Sequence, residues 1–308
     1  MKFNEYLKRC RNRSDMTQEQ LVHALYLHDI ENFEGLDDGT LGKWERGVTQ
    51  PRASKQVSIV KYFQQQTGMA LPCWDDYSID KAEEMICRVG MKNLLGKSKE
   101  LILNFPSAMI SAEDLSVHQL RNSGMINRII DINIGLDKDF NHEYSQLQSA
   151  HFKTWALHHS NSFYVCEYKE QFFGLLFTLR LKPEAFEKIM NFEMEERELN
   201  ASDFASYNEI GYNYIISFFA MNEKAASMLF IRYYAHLIAN QKMIAGVGVA
   251  TMMEDAKKLL GNMNLHLYAG KAIGEEWELQ TYRETLPNFL AYEKVIKMIL
   301  SKQECPEE

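Results

Sequence analysis

The chain has 308 residues, of which 46% are hydrophobic, 12% aromatic and 25% charged, a composition that excludes a disordered or low-complexity protein and leaves room for two ordinary domains. The net charge of −8 is uneven: residues 1–66 hold ten Lys/Arg against nine Asp/Glu, leaving +1 there and −9 in the remainder. Any attraction to a polyanion must therefore come from cations clustered locally in the first part.

No run approaches about 18 apolar residues, and Met1-Lys2-Phe3-Asn4-Glu5 lacks a signal-peptide core, which predicts a cytoplasmic protein with no membrane partner. Cys10, Cys73, Cys87, Cys166 and Cys305 make no Cys-x-x-Cys pair. That spacing predicts reduced thiols, with neither a zinc site nor a disulfide framework.

Phe3, Tyr6, Leu7 and Cys10 recur at helical spacing, so a first helix buries one stripe while Lys8, Arg9, Arg11 and Arg13 project elsewhere as a solvated face. Thr17 followed by Gln20 is a capping box, opening a helix that turns Leu21 and Leu25 inward. After Leu27-His28-Asp29-Ile30-Glu31-Asn32-Phe33-Glu34-Gly35, Asp37 or Asp38 caps a short helix whose Leu41 and Trp44 face the core, and Gly47 ends it. Ser54 is the expected cap of a further helix carrying Val57, Val60 and Phe63, broken at Thr67-Gly68.

Thr17-Gln18-x-x-Leu21, then Leu41-x-x-Trp44-Glu45-x-Gly47 and Pro51, together resemble the helix-turn-helix of the XRE/Cro family of bacterial and phage regulators. The resemblance covers about the first 65 residues and departs from the family pattern by roughly nine extra residues in the turn at 27–35. It implies that Arg11 pairs with Glu45, that Asp38, Gly39, Thr40 and Lys43 face base edges, and that Arg46, Thr49 and Arg52 meet the phosphate backbone, while Gln18, at a helix N-terminus whose amides and dipole favour a phosphate, is a further DNA-contact candidate. The implied DNA-binding set is thus Gln18, Thr40, Lys43, Arg46, Thr49 and Arg52.

Beyond the head, a helix from Asp80 to about Leu95 and helical turns from Ser98 to Leu103 form a linker. In the body, Met125 to Ile134 reads as a strand, and Ser162–Tyr168 with Phe172–Leu181 as an antiparallel hairpin. A helix over Pro183–Asn191 and an acidic, solvated turn at Glu193–Glu198 follow. Strands at Tyr212–Phe219 and Met243–Ala250 then alternate with helices at Ala225–Asn240 and Thr251–Leu260, before late strands at Leu265–Tyr268 and Trp277–Arg283.

This element order resembles the GNAT acyltransferase superfamily. There the helix after the central strand opens with a glycine-containing loop whose amides hold the pyrophosphate of acetyl-CoA. The matching stretch here, Met221-Asn222-Glu223-Lys224-Ala225-Ala226-Ser227, has no glycine and carries Glu223; the family's general-acid tyrosine is missing from Lys257-Lys258-Leu259-Leu260-Gly261. The resemblance implies a fold without the usual cofactor grip, so no catalytic, cofactor or metal residue is assigned. Gly246-Val247-Gly248 lacks the third glycine of a dinucleotide loop, His158-His159 lacks metal-ligand spacing, and Glu195-Glu196 reads as solvated rather than as an acid and base.

The chain thus reads as multidomain: an all-α helix-turn-helix head over 1–68, a helical linker over 69–110, and an α+β body over 111–308 with a mostly antiparallel mixed sheet and flanking helices. The expected function is a sequence-specific DNA-binding regulator whose body dimerises or senses a ligand. Its expected partners are double-stranded DNA and a second copy of the chain, with a small-molecule or acyl-CoA ligand left open. The alternatives are an active acetyl-CoA-dependent N-acyltransferase with a targeting head, and an antitoxin-like interaction protein.

Overall fold

The computed structural model describes residues 1–86, 91, 94–96, 100–103, 114–141, 147–275 and 277–300. They fall into two compact units: one comprises Met1–Asn93, Tyr234–Lys242 and the stretch from Pro287 onward, the other Leu94–Tyr233 and Met243–Leu286. The first unit therefore continues past residue 68 and takes in two distant segments, where the sequence suggests cuts at 68 and 110.

The first unit begins with α1 (Phe3–Arg13), α2 (Gln18–His28), α3 (Ile30–Phe33), α4 (Asp38–Glu45), α5 (Ala53–Thr67) and α6 (Ile79–Met85). Phe3, Tyr6, Leu7 and Cys10 form the buried stripe of α1. Thr17 Oγ1 accepts from the Gln20 amide at 3.1 Å and Gln20 Oε1 from the Thr17 amide at 2.8 Å, so the capping box is complete. The extra residues at 27–35 are not a plain loop. Asp29 caps α3, which buries Phe33 completely, and Ser58 of α5 donates to Asp29 at 2.7 Å.

Helix α5 starts one residue before the expected Ser54 cap, with Arg52 at the N-cap position and no side-chain cap. Gln64 donates to the carbonyls of Ala70 and Pro287, and Gln241 brackets Leu71 by accepting from its amide and donating to its carbonyl. These buried amides attach the distant segments to the rest of the first unit, and Tyr234 stacked on Phe289 joins those segments to each other. An amide that satisfies backbone groups across so long a separation leaves no local sequence signal.

The second unit is a mixed α+β fold. Its strands are β1 (Ser116–Gln119), β2 (Ser162–Tyr168), β3 (Gln171–Leu181), β4 (Gly211–Ala220), β5 (Ile244–Thr251), β6 (His266–Ile273) and β7 (Trp277–Thr285). They form one seven-stranded sheet in the order β1-β2-β3-β4-β5-β7-β6, antiparallel except for β4 beside β5. The hairpin read from alternation is β2–β3.

The remaining helices are α7 (Ile126–Asn141), α8 (Ser149–Leu157), α9 (Pro183–Met190), α10 (Glu223–Ala239), α11 (Glu254–Asn262), α12 (Leu286–Leu290) and α13 (Glu293–Ile299). Met125 to Ile134 is thus helical, not a strand. Ile129, Ile130 and Asn133 are buried together at helical spacing, and that burial overrides the strand preference of isoleucine. Helices α7, α8 and α9 pack Ile130, Phe152, Trp155 and Phe186 on one sheet face against Phe177, Leu179 and Tyr214.

The expected helical turns at Ser98–Leu103 lie partly outside the described residues; of those described, Ile102 forms a parallel bridge to Ala220. Of the helix expected over Asp80–Leu95, Ile79–Met85 is helical, and 87–90 and 92–93 lie outside the described residues. Gly246 and Gly248 lie within β5 and serve packing rather than a dinucleotide. A Cβ at Gly248 would sit 2.5 Å from the Phe186 ring, and one at Gly246 would sit 2.6 Å from the Glu284 carbonyl oxygen. Among the described residues no helix is long and apolar enough to cross a membrane.

Candidate functional site

In the first unit, the start of α2 and the end of α4 meet on a buried charge. Glu45, whose side chain is 4% exposed, accepts from Arg11 Nε at 2.6 Å, from Arg11 Nη2 at 3.2 Å and from Gln18 Nε2 at 2.7 Å. Arg11 Nη1 also donates to the Met16 carbonyl at 2.6 Å. The ion pair expected from the XRE/Cro resemblance is therefore present, and Gln18 joins it. A two-pronged guanidinium and a primary amide together fill the acceptor positions of one carboxylate, which is how a buried charge becomes tolerable.

This network fixes the surface beside it. A Cβ at Gly42 would lie 3.0 Å from Arg46 Nη1 and 3.4 Å from Gln18 Oε1, so these two side chains flank the same bare backbone. Lys43, Arg46, Thr49 and Arg52 are exposed, while Thr40 and Gln18 are half-buried. The Thr40 amide donates to the Asp37 capping carboxylate at 2.5 Å, which, with the Thr40 side chain and the Lys43 charge, holds that carboxyl below its usual range. Among the described residues, no ion pair engages Lys43, Arg46 or Arg52.

The cations of α1 behave differently. Arg13 pairs with Asp75 at 2.8 Å, and Arg9 meets Tyr77 Oη at 2.6 Å and Asp76 at 3.4 Å. Arg9 and Arg13 are thus engaged by the turn that follows α5, while Arg11 goes to Glu45 and Lys8 stays exposed. The six residues expected to meet DNA thus divide: four stand exposed along 43–52, Thr40 is partly covered, and Gln18 supports Glu45.

In the second unit, β4 and β5 part company. They pair from Gly211 beside Ile244 to Ile215 beside Val249, after which no pairing joins them. A bulge falls at the same place: Thr178 of β3 faces Ile215 and Phe177 faces Ser217, leaving Ile216 as the extra residue, which sharpens the local twist. The gap holds a cavity of about 100 Å³. Asn133 and Asp137 of α7 line it from one side, Phe230 of α10 and Leu260 of α11 from the other, and Thr251 of β5 borders it.

Outside the cavity lining, a titratable pair senses the charge of Asp137, one of the lining residues. Tyr214 donates to Glu196 Oε1 at 2.5 Å. Burial pushes the Glu196 carboxyl up to about 7; the Asp137 charge adds to the rise and the Tyr214 hydrogen bond opposes it. The acidic run at 193–198 is therefore not uniformly solvated. Glu195 is exposed and pairs with Arg197 at 2.6 Å, while Glu196 is half-buried with its carboxylate turned in. Adjacent glutamates in a short turn look alike in sequence, and only the partner Tyr214 separates them.

Two features bear on whether an acetyl-CoA-like cofactor fits. The Ala225 amide at the start of α10 donates to Asn222 Oδ1 at 2.8 Å, so the helix caps itself where a pyrophosphate would need free donors, and Glu223 adds a repelling charge. The last residue of β4, Ala220, is also paired with its own chain on the free edge. Leu101 O accepts from the Ala220 amide and the Leu103 amide donates to Ala220 O, each at 2.9 Å, while Asp255 at the start of α11 holds the Glu100 amide at 3.0 Å. An extended ligand that adds to a strand edge could not use the Ala220 groups. The residues present do not fit the cofactor.

No family model matches the chain, and no curated protein matches it in sequence. Among solved structures, it is similar to a probable acetyltransferase from Staphylococcus epidermidis ATCC 12228, at 12% identity over 56% of this chain and 98% of that one, with a TM-score of 0.37. It is also similar to an N-acetyltransferase from Staphylococcus aureus Mu50, at 16% identity over 56% and 98% with a TM-score of 0.36. An acetyltransferase of the GNAT family from Streptococcus pneumoniae is 10% identical over 56% and 99%, again with a TM-score of 0.36. Scores this low carry no weight by themselves. The second unit is a mixed α+β fold with one seven-stranded sheet.

Proposed function

We propose that the chain is a DNA-binding regulator that docks on duplex DNA through α4 and the segment leading into α5. The observation that carries this reading is the run of exposed cations Lys43, Arg46 and Arg52 within ten residues, beside the buried Arg11–Glu45–Gln18 tie, whereas Arg9 and Arg13 of α1 are engaged by Asp75, Asp76 and Tyr77. In this reading Lys43 approaches guanine acceptors in the major groove, and Arg46, Thr49 and Arg52 hold the phosphates. Gln18 acts as a positioning residue through Glu45.

The test is fluorescence anisotropy of the full chain on a duplex it selects, across a salt series. Arg52→Ala should weaken all duplexes alike and lower the magnitude of the salt slope by about 1, while Lys43→Ala should cost roughly 1–3 kcal/mol at one base position. Unchanged binding in both variants removes this face from the account.

A second reading, an acyl-transferring second unit, is favoured by the cleft between β4 and β5, lined by Asp137, and by Glu196, which feels the Asp137 charge and accepts from Tyr214, a carboxylate raised toward neutrality as a general base requires. The capped start of α10 and the pairing of Ala220 at the end of β4 oppose it. Turnover of acetyl-CoA by the full chain, lost in Glu196→Gln, would establish it; absence of acetyl-CoA binding at millimolar concentration would remove it.

A further inference from the structure

We propose that Cys10 and Cys73 form an oxidation site, a dithiol that a hydroperoxide converts to a disulfide. Their sulfurs stand 3.2 Å apart, each residue no more than 3% exposed, in a chain whose spacing offers no cysteine motif. A disulfide requires only that they close by roughly 1.2 Å. Cys73 holds a left-handed backbone, φ +66°, which L side chains adopt at a cost and which glycine would accept freely. A thiol kept there against backbone preference indicates that the side chain matters.

The surroundings hold the two sulfurs in register. Cys10 lies on the buried stripe of α1, and Arg9 and Arg13 of the same helix reach Asp76, Tyr77 and Asp75 just beyond Cys73. On the other side of Cys73, Gln241 fixes both backbone groups of Leu71. The pair is also polarised. Cys10 donates to Cys73 Sγ; that hydrogen bond, with the Arg13 and Arg9 charges, lowers the Cys73 thiol, while burial first and the neighbouring sulfur second push the Cys10 thiol up. Cys73 is therefore the attacking thiolate and Cys10 the resolving thiol.

The chemistry balances as follows. The Cys73 thiolate attacks one peroxide oxygen; an S–O bond forms, the O–O bond breaks, and the departing alkoxide or hydroxide takes up the proton that Cys73 released. Cys10 then loses its proton and attacks Cys73 Sγ; the S–S bond forms, the S–O bond breaks, and water leaves. Two thiols are oxidised and one hydroperoxide is reduced to an alcohol, or to water when it is hydrogen peroxide. Burial selects a small oxidant, because a bulky disulfide would have to form a mixed disulfide in a site with no room for it. The product ties α1 to the turn after α5 and encloses Arg11, Glu45 and the whole of α4 in one covalent loop, which constrains the unfolded chain.

The experiment exposes the full-length protein to stoichiometric hydrogen peroxide or, separately, to glutathione disulfide, then alkylates, digests and maps cysteines by mass spectrometry, with thermal unfolding alongside. The proposal expects a Cys10–Cys73 cross-linked peptide after peroxide, reversed by dithiothreitol, and little cross-link after glutathione disulfide over the same time. Cys166, buried alone with its thiol pushed up to about 12, serves as the unreactive control. The oxidised protein should melt several degrees higher, and Cys73→Ser should lose both the cross-link and the gain. Wild-type protein that keeps Cys10 and Cys73 as free thiols after peroxide, or that links either one to Cys87 or Cys305 instead, overturns the proposal without reference to any variant.

Discussion

Arg11→Ala tests the physical core of the first unit. The substitution removes both guanidinium bonds to Glu45 and the bond to the Met16 carbonyl, leaving a carboxylate whose side chain is 4% exposed with Gln18 as its remaining described partner. Stranding one member of a buried ion pair costs about 3–5 kcal/mol. The surviving Gln18 bond offsets about 1 kcal/mol of that, so the expected loss is about 2–4 kcal/mol.

Because the chain contains two units, a single unfolding midpoint would blur the effect. Peptide-level hydrogen exchange over Leu41–Arg46 reads it locally. Protection there should fall by roughly 30- to 1,000-fold, at about 1.4 kcal/mol per factor of ten. The paired change Arg11→Met with Glu45→Met should recover most of the loss, since neither charge is then stranded. Exchange in Arg11→Ala within about threefold of wild type, a difference of roughly 0.6 kcal/mol, would refute the reasoning, because Glu45 would then be finding solvent or another donor cheaply.

Glu196→Gln should change the pH dependence of the second unit. The folded state keeps the Glu196 proton up to about pH 7, whereas an unfolded glutamate releases it near 4.5. Wild-type stability from this group is therefore complete below 4.5 and lost as pH rises through 7, by roughly 3 kcal/mol. The variant should match wild type near pH 4.5 and exceed it at pH 8 in urea titrations, and parallel curves would contradict this. Gly248→Ala should destabilise the same unit by about 1–3 kcal/mol, because its methyl would meet the Phe186 ring at 2.5 Å and Met190 Sδ at 3.1 Å. A neutral result in thermal unfolding would mean that α9 slides freely over β5.

Several of these features were legible in the residues. The capping box at Thr17, the cap at Asp37 and the inward Leu41 and Trp44 follow from spacing, and the β2–β3 hairpin from alternation, because each depends on neighbours within one turn or one strand pair. What escaped depends on distant partners. Met125–Ile134 carries strand-forming residues, and only its packing beneath the sheet makes it α7. Glu196 is set apart from Glu195 by Tyr214, and Cys10 meets Cys73 through a left-handed turn that no spacing rule anticipates. The division into two units was hidden for the same reason, since Gln64 and Gln241 tie together segments far apart in the chain.

Docking on DNA through residues 43–52 is tested most directly by selecting duplexes from a random library with the full chain, in parallel with a variant carrying Lys43→Ala, Arg46→Ala and Arg52→Ala. The account predicts that wild type enriches a defined sequence whose binding weakens steeply with salt, and that the triple variant enriches none while keeping wild-type hydrogen-exchange protection over α2 and α5. Equal enrichment by both proteins, or enrichment by neither, would contradict it.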